Sequence, residues 1–319
     1  MKKLRTIKWS TWIALAENFA VVLIISLAFY ITLPVKTKQT VYVPEGSIGG
    51  IISQLAKKGY DLSVIDVYLM RLIGQPQHGW IFIGKKEMNR IDFLHKLTSA
   101  KSAIHKITLI PGETLEIFFD TLAKKYGLDK EKLFQYYRTY SKYPEAGIYA
   151  DTYFVPAGIK EKHLIAFLVK ESEKRYRKLA KETLGSYDKE SWQRILTIAS
   201  IVQKEAANNR EMPIVASVVY NRLKKKMRLQ MDGTLNYGKY SHIKVTPQRI
   251  KDDNTTFNTY KFKGLPPSPI GSVSLTAIRA ALKPAKTDYL YFMKGRSGTH
   301  DFSKSFKAHR KNIQKAKEK

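Results

Sequence analysis

The run from Trp12 to Leu33 constrains this chain more than any other stretch. Apart from Glu17, Asn18 and a few small polar residues, it is apolar throughout. Its 22 positions, at about 1.5 Å each, span roughly 33 Å as a helix, enough to cross a bilayer core of about 30 Å. Glu17 and Asn18 fall near the first interface, where charge costs less than at mid-membrane. Trp9 and Trp12 sit where interfacial aromatics collect. Lys2, Lys3, Arg5 and Lys8 precede the run, against Lys36 and Lys38 just after it. The positive-inside bias therefore predicts residues 1–11 in the cytoplasm, a transmembrane helix over 12–33, and nearly all of the remaining chain across the membrane. A cleaved signal peptide is the alternative. Phe29-Tyr30-Ile31-Thr32-Leu33-Pro34 lacks the small-x-small pattern that cleavage uses, which favours a retained single-pass anchor in the cell (inner) membrane, with an extracytoplasmic or periplasmic remainder.

The rest of the 319 residues is long enough for two or three domains. Lys+Arg 56 minus Asp+Glu 27 gives a net charge of +29. That balance suits polyanionic surroundings: nucleic acid, anionic lipid or acidic wall polymers. The anchor removes nucleic acid as an expected partner. Cysteine is absent, so disulfides, thiol nucleophiles and cysteine metal sites are excluded.

Beyond the anchor, Val41-Tyr42-Val43-Pro44 alternates like a short strand. Ser47 can cap a helix carrying Ile48, Ile51, Ile52 and Leu55, which Gly59 stops. Ser63 with Asp66 resembles a capping box and opens a second helix through Val67, Leu69, Met70 and Ile73. Gly79–Gly84 reads as a closing strand, so residues 34–105 are expected to hold a small βααβ unit, followed by a short helix over Asn89–Thr98. A weak repeat follows 67 residues on: Pro44-Glu45-Gly46-Ser47 and Leu55-Ala56-Lys57-Lys58 recur as Pro111-Gly112-Glu113-Thr114 and Leu122-Ala123-Lys124-Lys125. With a strand at Thr108–Ile110 and a cap at Asp129, residues 106–185 are expected to form a second small α/β unit and a connecting helix. That helix, Lys160–Leu184, should turn Leu164, Phe167, Leu168 and Leu179 inward and its Lys and Arg outward. Chance is the competing explanation for a two-copy match. Glu145–Tyr153 is a loop rich in turn formers and aromatics, suited to a cleft or to a surface corner.

Residues 186–319 hold the chemistry. Asp188 can cap a helix that is heavily apolar from Trp192 to Val202 and runs into Glu205. Val202, Ile201 and Ile198 stand three, four and seven positions before Glu205, so the acid shares the apolar face. A carboxyl there is either paired or kept partly protonated by desolvation, as enzymes prepare a general acid. Asn208-Asn209 is expected to close the helix through a left-handed residue. Pro213 suits the first turn of the next helix, with a stripe of Ile214, Val215, Val218, Val219 and Leu223. The two helices form an antiparallel hairpin with Glu205 at its turn end. Past Lys224, loops rich in amides and tyrosines suit sugar hydroxyls and ring faces. Tyr289–Met293 reads as a buried strand, Gly295–His300 as its hairpin exit, and Lys304–Lys319 as a terminal helix. The fold class is α+β.

No phosphate loop, H-E-x-x-H or G-x-S-x-G is present. His242, His300 and His309 are scattered and suit structural or surface roles better than metal ligation. No metal and no cofactor is expected, which leaves acid–base work by carboxylates and tyrosines. Ordinary glycoside hydrolysis needs two carboxylates, and no second one stands at a fixed offset. Asp232 could be that partner, or it could only hold its loop.

Residues 196–302 resemble the endolytic murein transglycosylase family, also called YceG-like. The resemblance is carried by Ala199–Glu205, Val215–Leu223, Met227–Asp232, Asn258-Thr259-Tyr260, Gly264–Pro267 and Pro284–Phe292, with His300 and Phe302 at its end. Outside that block the likeness is architectural: an anchor, a LysM-like module around Val41–Gly84, and the Glu145–Tyr153 loop. The resemblance implies lytic cleavage of peptidoglycan glycan strands at internal MurNAc–GlcNAc bonds, with Glu205 as the one catalytic carboxylate. It also implies 1,6-anhydro-MurNAc ends and a limit on nascent strand length. Water is no reactant, so a second carboxylate is not required. This sequence departs from the family pattern at Gln203, where Glu is frequent, at Ala150 and Gly233, where Pro is common, and at Ser268, where Gly is common. Asn221, Gln230, Asp232 and Tyr260 are the candidate sugar contacts, each balanced against a structural role. Peptidoglycan is the expected partner and peptidoglycan synthases are further candidates. A non-catalytic wall-binding scaffold and, from charge alone, nucleic-acid binding are the competing functions.

Overall fold

The apolar run folds as one continuous helix, α1 (Trp9–Thr32), with no buried residue along it. It is the one helix among the described residues that is long and apolar enough to cross a membrane. The computed structural model describes residues 9–38, 40–99 and 103–317. Lys2, Lys3, Arg5 and Lys8, on which the expected orientation rests, lie outside the described residues. The chain divides into two compact units, residues 1–105 with 154–158, and residues 106–153 with 159–319.

In the first unit, β1 (Pro34–Lys36) follows α1 almost at once and pairs antiparallel with β4 (Glu87–Asn89). Between them β2 (Thr40–Val43), α2 (Ile48–Lys57), α3 (Val64–Ile73) and β3 (Gly79–Phe82) form the βααβ order, with β2 and β3 antiparallel and Val41 opposite Ile81. The local signals account for the boundaries. Ser47 accepts the Gly50 N–H at the start of α2, and Ser63 with Asp66 forms a complete capping box on α3. The short helix after β4 is α4 (Arg90–Ser99), whose Phe93, Leu94 and Leu97 complete a core with Val41, Ile51 and Ile81.

The boundary between the units falls within β5 (Ile104–Thr108) and β6 (Thr152–Pro156). The strand therefore ends at Thr108, where the sequence pattern begins it. In the second unit α5 (Leu115–Tyr126) and α6 (Lys130–Tyr140, capped by Asp129) precede α7 (Glu161–Leu184). Phe167 is 38% exposed instead of inward; the face of α7 that packs is Leu164, Ile165, Leu168, Tyr176 and Ala180.

The core of this unit is built on α8 (Lys189–Glu205), with α9 (Met212–Lys224) and α11 (Leu275–Leu282) packed against it. Trp192, Leu196, Ile198, Ile201 and Val202 of α8 meet Val215, Val218 and Val219 of α9 in one fully buried cluster. Asp188 caps α8 by accepting the Ser191 N–H at 2.8 Å, and Pro213 sits in the first turn of α9. The expected left-handed closure of α8 does not occur. The helix stops at Glu205 with Ala206 extended, because the Asn208 side chain is engaged forward, accepting the Arg210 and Glu211 N–H groups. The late strand also starts later than expected: β7 (Tyr291–Lys294) pairs with β8 (His300–Ser303) and is half-buried. The Tyr289 and Leu290 carbonyls are taken by the Asn221 and Arg222 side chains, so regular pairing begins beyond them. Between α9 and α11 lie two short 3-10 turns, Asp232–Leu235 and Gly238–Tyr240, and α10 (Pro247–Asp252). The basic tail forms α12 (Phe306–Lys317).

Candidate active site

Glu205 is the last residue of α8, so its carboxyl projects where the helix gives way to loops. Its Oε1 accepts the Gly233 N–H at 2.6 Å. Burial pushes this carboxyl up to about 7; the Gly233 hydrogen bond opposes the shift, Asp232 adds to it, and Arg222 opposes it more weakly. A carboxyl with that value exists in both protonation states near neutral pH, which suits a group that must first donate and then accept a proton. In this chain Gly233 permits the close approach: a Cβ there would lie 2.8 Å from Glu205 Oε1 and 2.9 Å from Lys204 Cβ.

The loop that presents Gly233 is held by backbone and hydroxyl bonds. The Thr259 carbonyl accepts the Gln230 N–H at 3.2 Å, its hydroxyl accepts the Met231 N–H at 3.2 Å, and Thr234 Oγ1 lies 2.9 Å from the same hydroxyl. Gln230 itself has φ +51°, a conformation uncommon for a residue with a side chain. Asn258 is fully buried and donates to the Ile250 and Asp253 carbonyls at 2.8 and 2.7 Å. Its neighbour Tyr260 donates to Asp232 Oδ1 at 2.6 Å. Burial and the Asp232 carboxylate hold the Tyr260 hydroxyl well above its ordinary range, so it remains a donor. Arg222, buried in α9, closes the other side, donating to the Leu229, Arg228 and Leu290 carbonyls.

A second polar set lies on the other face of the Glu205 turn. Lys204 donates to Ser241 at 3.2 Å, and burial holds its ammonium below the usual range against the pull of Glu113 and Glu145. Glu113 Oε2 lies 2.8 Å from His242 Nε2, and Thr114 donates to the Gly238 carbonyl at 2.8 Å. Glu145 accepts the Leu115 N–H at 3.1 Å, at the start of α5. Burial raises its carboxyl to about 8, against the Leu115 and Ala146 hydrogen bonds. The segment after Gly233 is thus pinned to the start of α5. Four residues beyond Gly233, a cavity of about 540 Å³ opens between Tyr237, Tyr240, Arg249, Asp252 and Asn254.

Of the residues singled out from sequence, Glu205, Asp232 and Tyr260 share one connected site. Gln230 is on the same loop with its side chain exposed. Asn221 spends both amide hydrogens on the Thr287 and Tyr289 carbonyls, at 2.8 and 3.0 Å. Gln203 accepts the Ser274 N–H at 3.2 Å. Gly233, Arg222 and Thr259 join the site without being sequence candidates: Arg222 and Thr259 lie inside the family motifs and Gly233 directly after one, but nothing local indicates what they touch. Among the described residues no His, Asp and Glu gather as metal ligands.

The YceG-like family profile matches residues 41–315, most of the chain. The chain belongs to the YceG-like family. An endolytic murein transglycosylase of Bacillus subtilis is 41% identical over 128 residues, covering 40% of this chain and 36% of that protein. An endolytic murein transglycosylase of Streptococcus pneumoniae is 39% identical over 104 residues, covering 31% of this chain and 19% of that protein. The chain thus spans well under half the length of these relatives in the matched region. A crystal structure of a YceG-like protein from Listeria monocytogenes superposes with a TM-score of 0.56 at 28% identity, covering 85% of this chain and 97% of that one.

Proposed function

We propose that this chain is a membrane-anchored endolytic lytic transglycosylase, a carbon–oxygen lyase that cuts MurNAc–GlcNAc bonds inside peptidoglycan strands and so limits their length. The observation that carries the reading is the Glu205 carboxyl, raised to about 7 and held by one oxygen on Gly233. Because Oε1 accepts the Gly233 N–H, the neutral acid carries its proton on Oε2. That proton passes to the glycosidic oxygen as the bond to C1 of MurNAc breaks. The resulting carboxylate takes the proton of the muramyl C6 hydroxyl, whose oxygen closes on C1 as a 1,6-anhydro ring. Glu205 ends protonated, as it began, and no water is consumed.

Other parts take supporting roles in this reading. The Tyr260–Asp232 pair sets the loop beside the acid, and the Tyr237–Arg249 cavity, with its ring faces and polar groups, suits sugar units flanking the cut. Gln230, exposed on the same loop, and Asn221 remain candidates for sugar contact, Asn221 through its carbonyl oxygen only. The apolar span 12–33, nearly all of it in α1, anchors the chain with its N-terminus cytoplasmic. Residues 34–105 act as a LysM-like wall-binding module, 106–185 as a second small unit with its connecting helix, and 186–319 as the catalytic domain, with Glu205 at the turn of the α8–α9 hairpin. Peptidoglycan synthases are the proposed protein partners. Asp232 supports a second reading, hydrolysis, since a second carboxylate stands one residue from the Gly233 contact.

The test is digestion of purified sacculi by the wild-type chain and by Glu205→Gln, read by mass spectrometry. Anhydro-ended fragments from wild type alone are expected. Ordinary reducing ends would favour hydrolysis, and sacculus binding without fragments from either protein would leave a wall-binding scaffold in place of the enzyme.

A further inference from the structure

The α3 helix carries apolar side chains on all sides, and only part of them is covered. Met70 is fully buried in the first unit's core, with Val67 and Leu69 packed beside it. Val64, Ile65, Tyr68 and Leu72 are exposed by 69, 47, 61 and 86%. At about 100° per residue these four fall within one arc of roughly 100°, with Arg71 at its edge. Contiguous exposed apolar surface of this kind marks a contact with something other than water.

The place of that arc identifies what covers it. The start of α3 is tied to the last turns of α1. The Tyr30 hydroxyl lies 2.8 Å from Ser63 Oγ and donates to Asp66 Oδ2 at 2.8 Å. Arg90 stacks over the Tyr30 ring at 4.3 Å, pairs with Asp66 at 2.8 Å and Asp61 at 2.9 Å, and its N–H donates to the Leu33 carbonyl at 2.9 Å. Asp66 and Arg90 are buried, and β1 starts at Pro34. The junction is therefore partly buried, with Asp66 and Arg90 out of water, and has no flexible linker. If Trp12–Leu33 crosses the membrane, Tyr30 lies three residues, about 4.5 Å along the axis, before the end of the crossing. Ser63, which touches it, then stands at headgroup depth.

We infer that the exposed face of α3 lies in the far-leaflet boundary between headgroups and acyl chains, where it holds the first unit on the bilayer as an interfacial helix. The inference rests on reading α1 as the membrane anchor. The residue types fit the boundary: Val64, Ile65 and Leu72 supply apolar area, and Tyr68 with Arg71, ring and guanidinium 5.6 Å apart, supply the amphipathic groups that collect at headgroups. A partly buried Arg–Asp–Tyr junction beneath such a face gives the first unit one orientation on the membrane instead of a free swing about the anchor.

The chain lacks cysteine, so single nitroxide labels can be placed cleanly on the full-length protein in phosphatidylethanolamine–phosphatidylglycerol vesicles. The positions are Tyr68→Cys and Leu72→Cys on the face, Ile24→Cys in α1, and Glu190→Cys as an aqueous reference in the second unit. The expected result is severalfold greater oxygen than nickel-complex accessibility at 68 and 72, as at 24 and unlike 190. A lipid-exposed 24 with 68 and 72 matching 190 overturns the inference and leaves the anchor standing. A water-exposed 24 overturns the anchor and the inference with it. Shielding of 68 and 72 from both reagents assigns the face to a second copy or another protein, and also overturns it. Because a nitroxide is itself apolar, unlabelled Leu72→Asp provides a second reading. Amide exchange across 64–73 in vesicles should rise severalfold over wild type, and an unchanged rate contradicts lipid cover.

Discussion

Gly233 donates its backbone N–H to Glu205 Oε1 at 2.6 Å, although the two residues lie on different elements and 28 positions apart. The contact needs both the donor and the absent side chain. Gly233→Ala keeps the N–H but places a methyl group 2.8 Å from that oxygen, so the carboxyl must move. A displacement of about 1 Å can cost on the order of a hundredfold in rate. We expect kcat on glycan strands to fall tenfold to a hundredfold, with sacculus binding nearly unchanged.

Gly233→Pro tests the donor itself, since proline has no N–H. The Gly233 bond lowers the Glu205 value, so its removal raises it. The pH at which activity begins to fall should move upward relative to Gly233→Ala, which retains the donor. A profile with the same midpoint in both variants would show that the N–H does not tune the acid.

In the proposed mechanism the acid form of Glu205 makes the first proton transfer, and burial raises its carboxyl to about 7. Activity as kcat/KM should hold below that pH and decline about tenfold per unit above it. The pH–rate profile on purified glycan reads this directly.

The same shift has a stability consequence. The folded-state value lies above the ordinary 4.5, so folding favours the protonated acid, and its contribution is lost as pH rises through about 7. Glu205→Gln removes that loss. The variant should be more stable than wild type at pH 8 by on the order of 1–3 kcal/mol, and the difference should vanish near pH 4. Denaturant titration at both pH values checks it.

Glu211 carries structure. Burial would raise its carboxyl, but the His300 N–H and ring, together with the Ala207 N–H, hold it below the usual range. Its stabilisation is present at neutral pH and lost as pH falls through that depressed value. Glu211→Ala leaves the His300 groups unpaired and should destabilise by about 3 kcal/mol, read as a lower midpoint in chemical denaturation.

How much of this was legible in the sequence depends on range. The α3 capping box, the Ser47 cap and the apolar stripe before Glu205 are local signals, and each places its element as expected. The Glu205 environment was half legible: Ile198, Ile201 and Val202 at helical spacing put the acid on a buried face, but nothing local foretold Gly233. That contact depends on Thr259 and Arg222 pinning an irregular loop, and such bonds join residues far apart in sequence. Asn221 illustrates the same limit. Its residue type suits a sugar hydroxyl, yet its amide hydrogens go to the Thr287 and Tyr289 carbonyls once the chain returns past α11. The end of α8 is ambiguous in sequence because an Asn can turn backward or forward there, and in the fold the Glu211 N–H engages Asn208 forward.

The central claim, that Glu205 closes a ring using the substrate's own hydroxyl and not water, is tested most directly by digesting purified glycan strands in heavy-oxygen water. Product ends from the wild-type chain should be 1,6-anhydro and carry no solvent oxygen, and Glu205→Gln should yield no new ends. New reducing ends bearing solvent oxygen at C1 would contradict the account and make the enzyme a hydrolase.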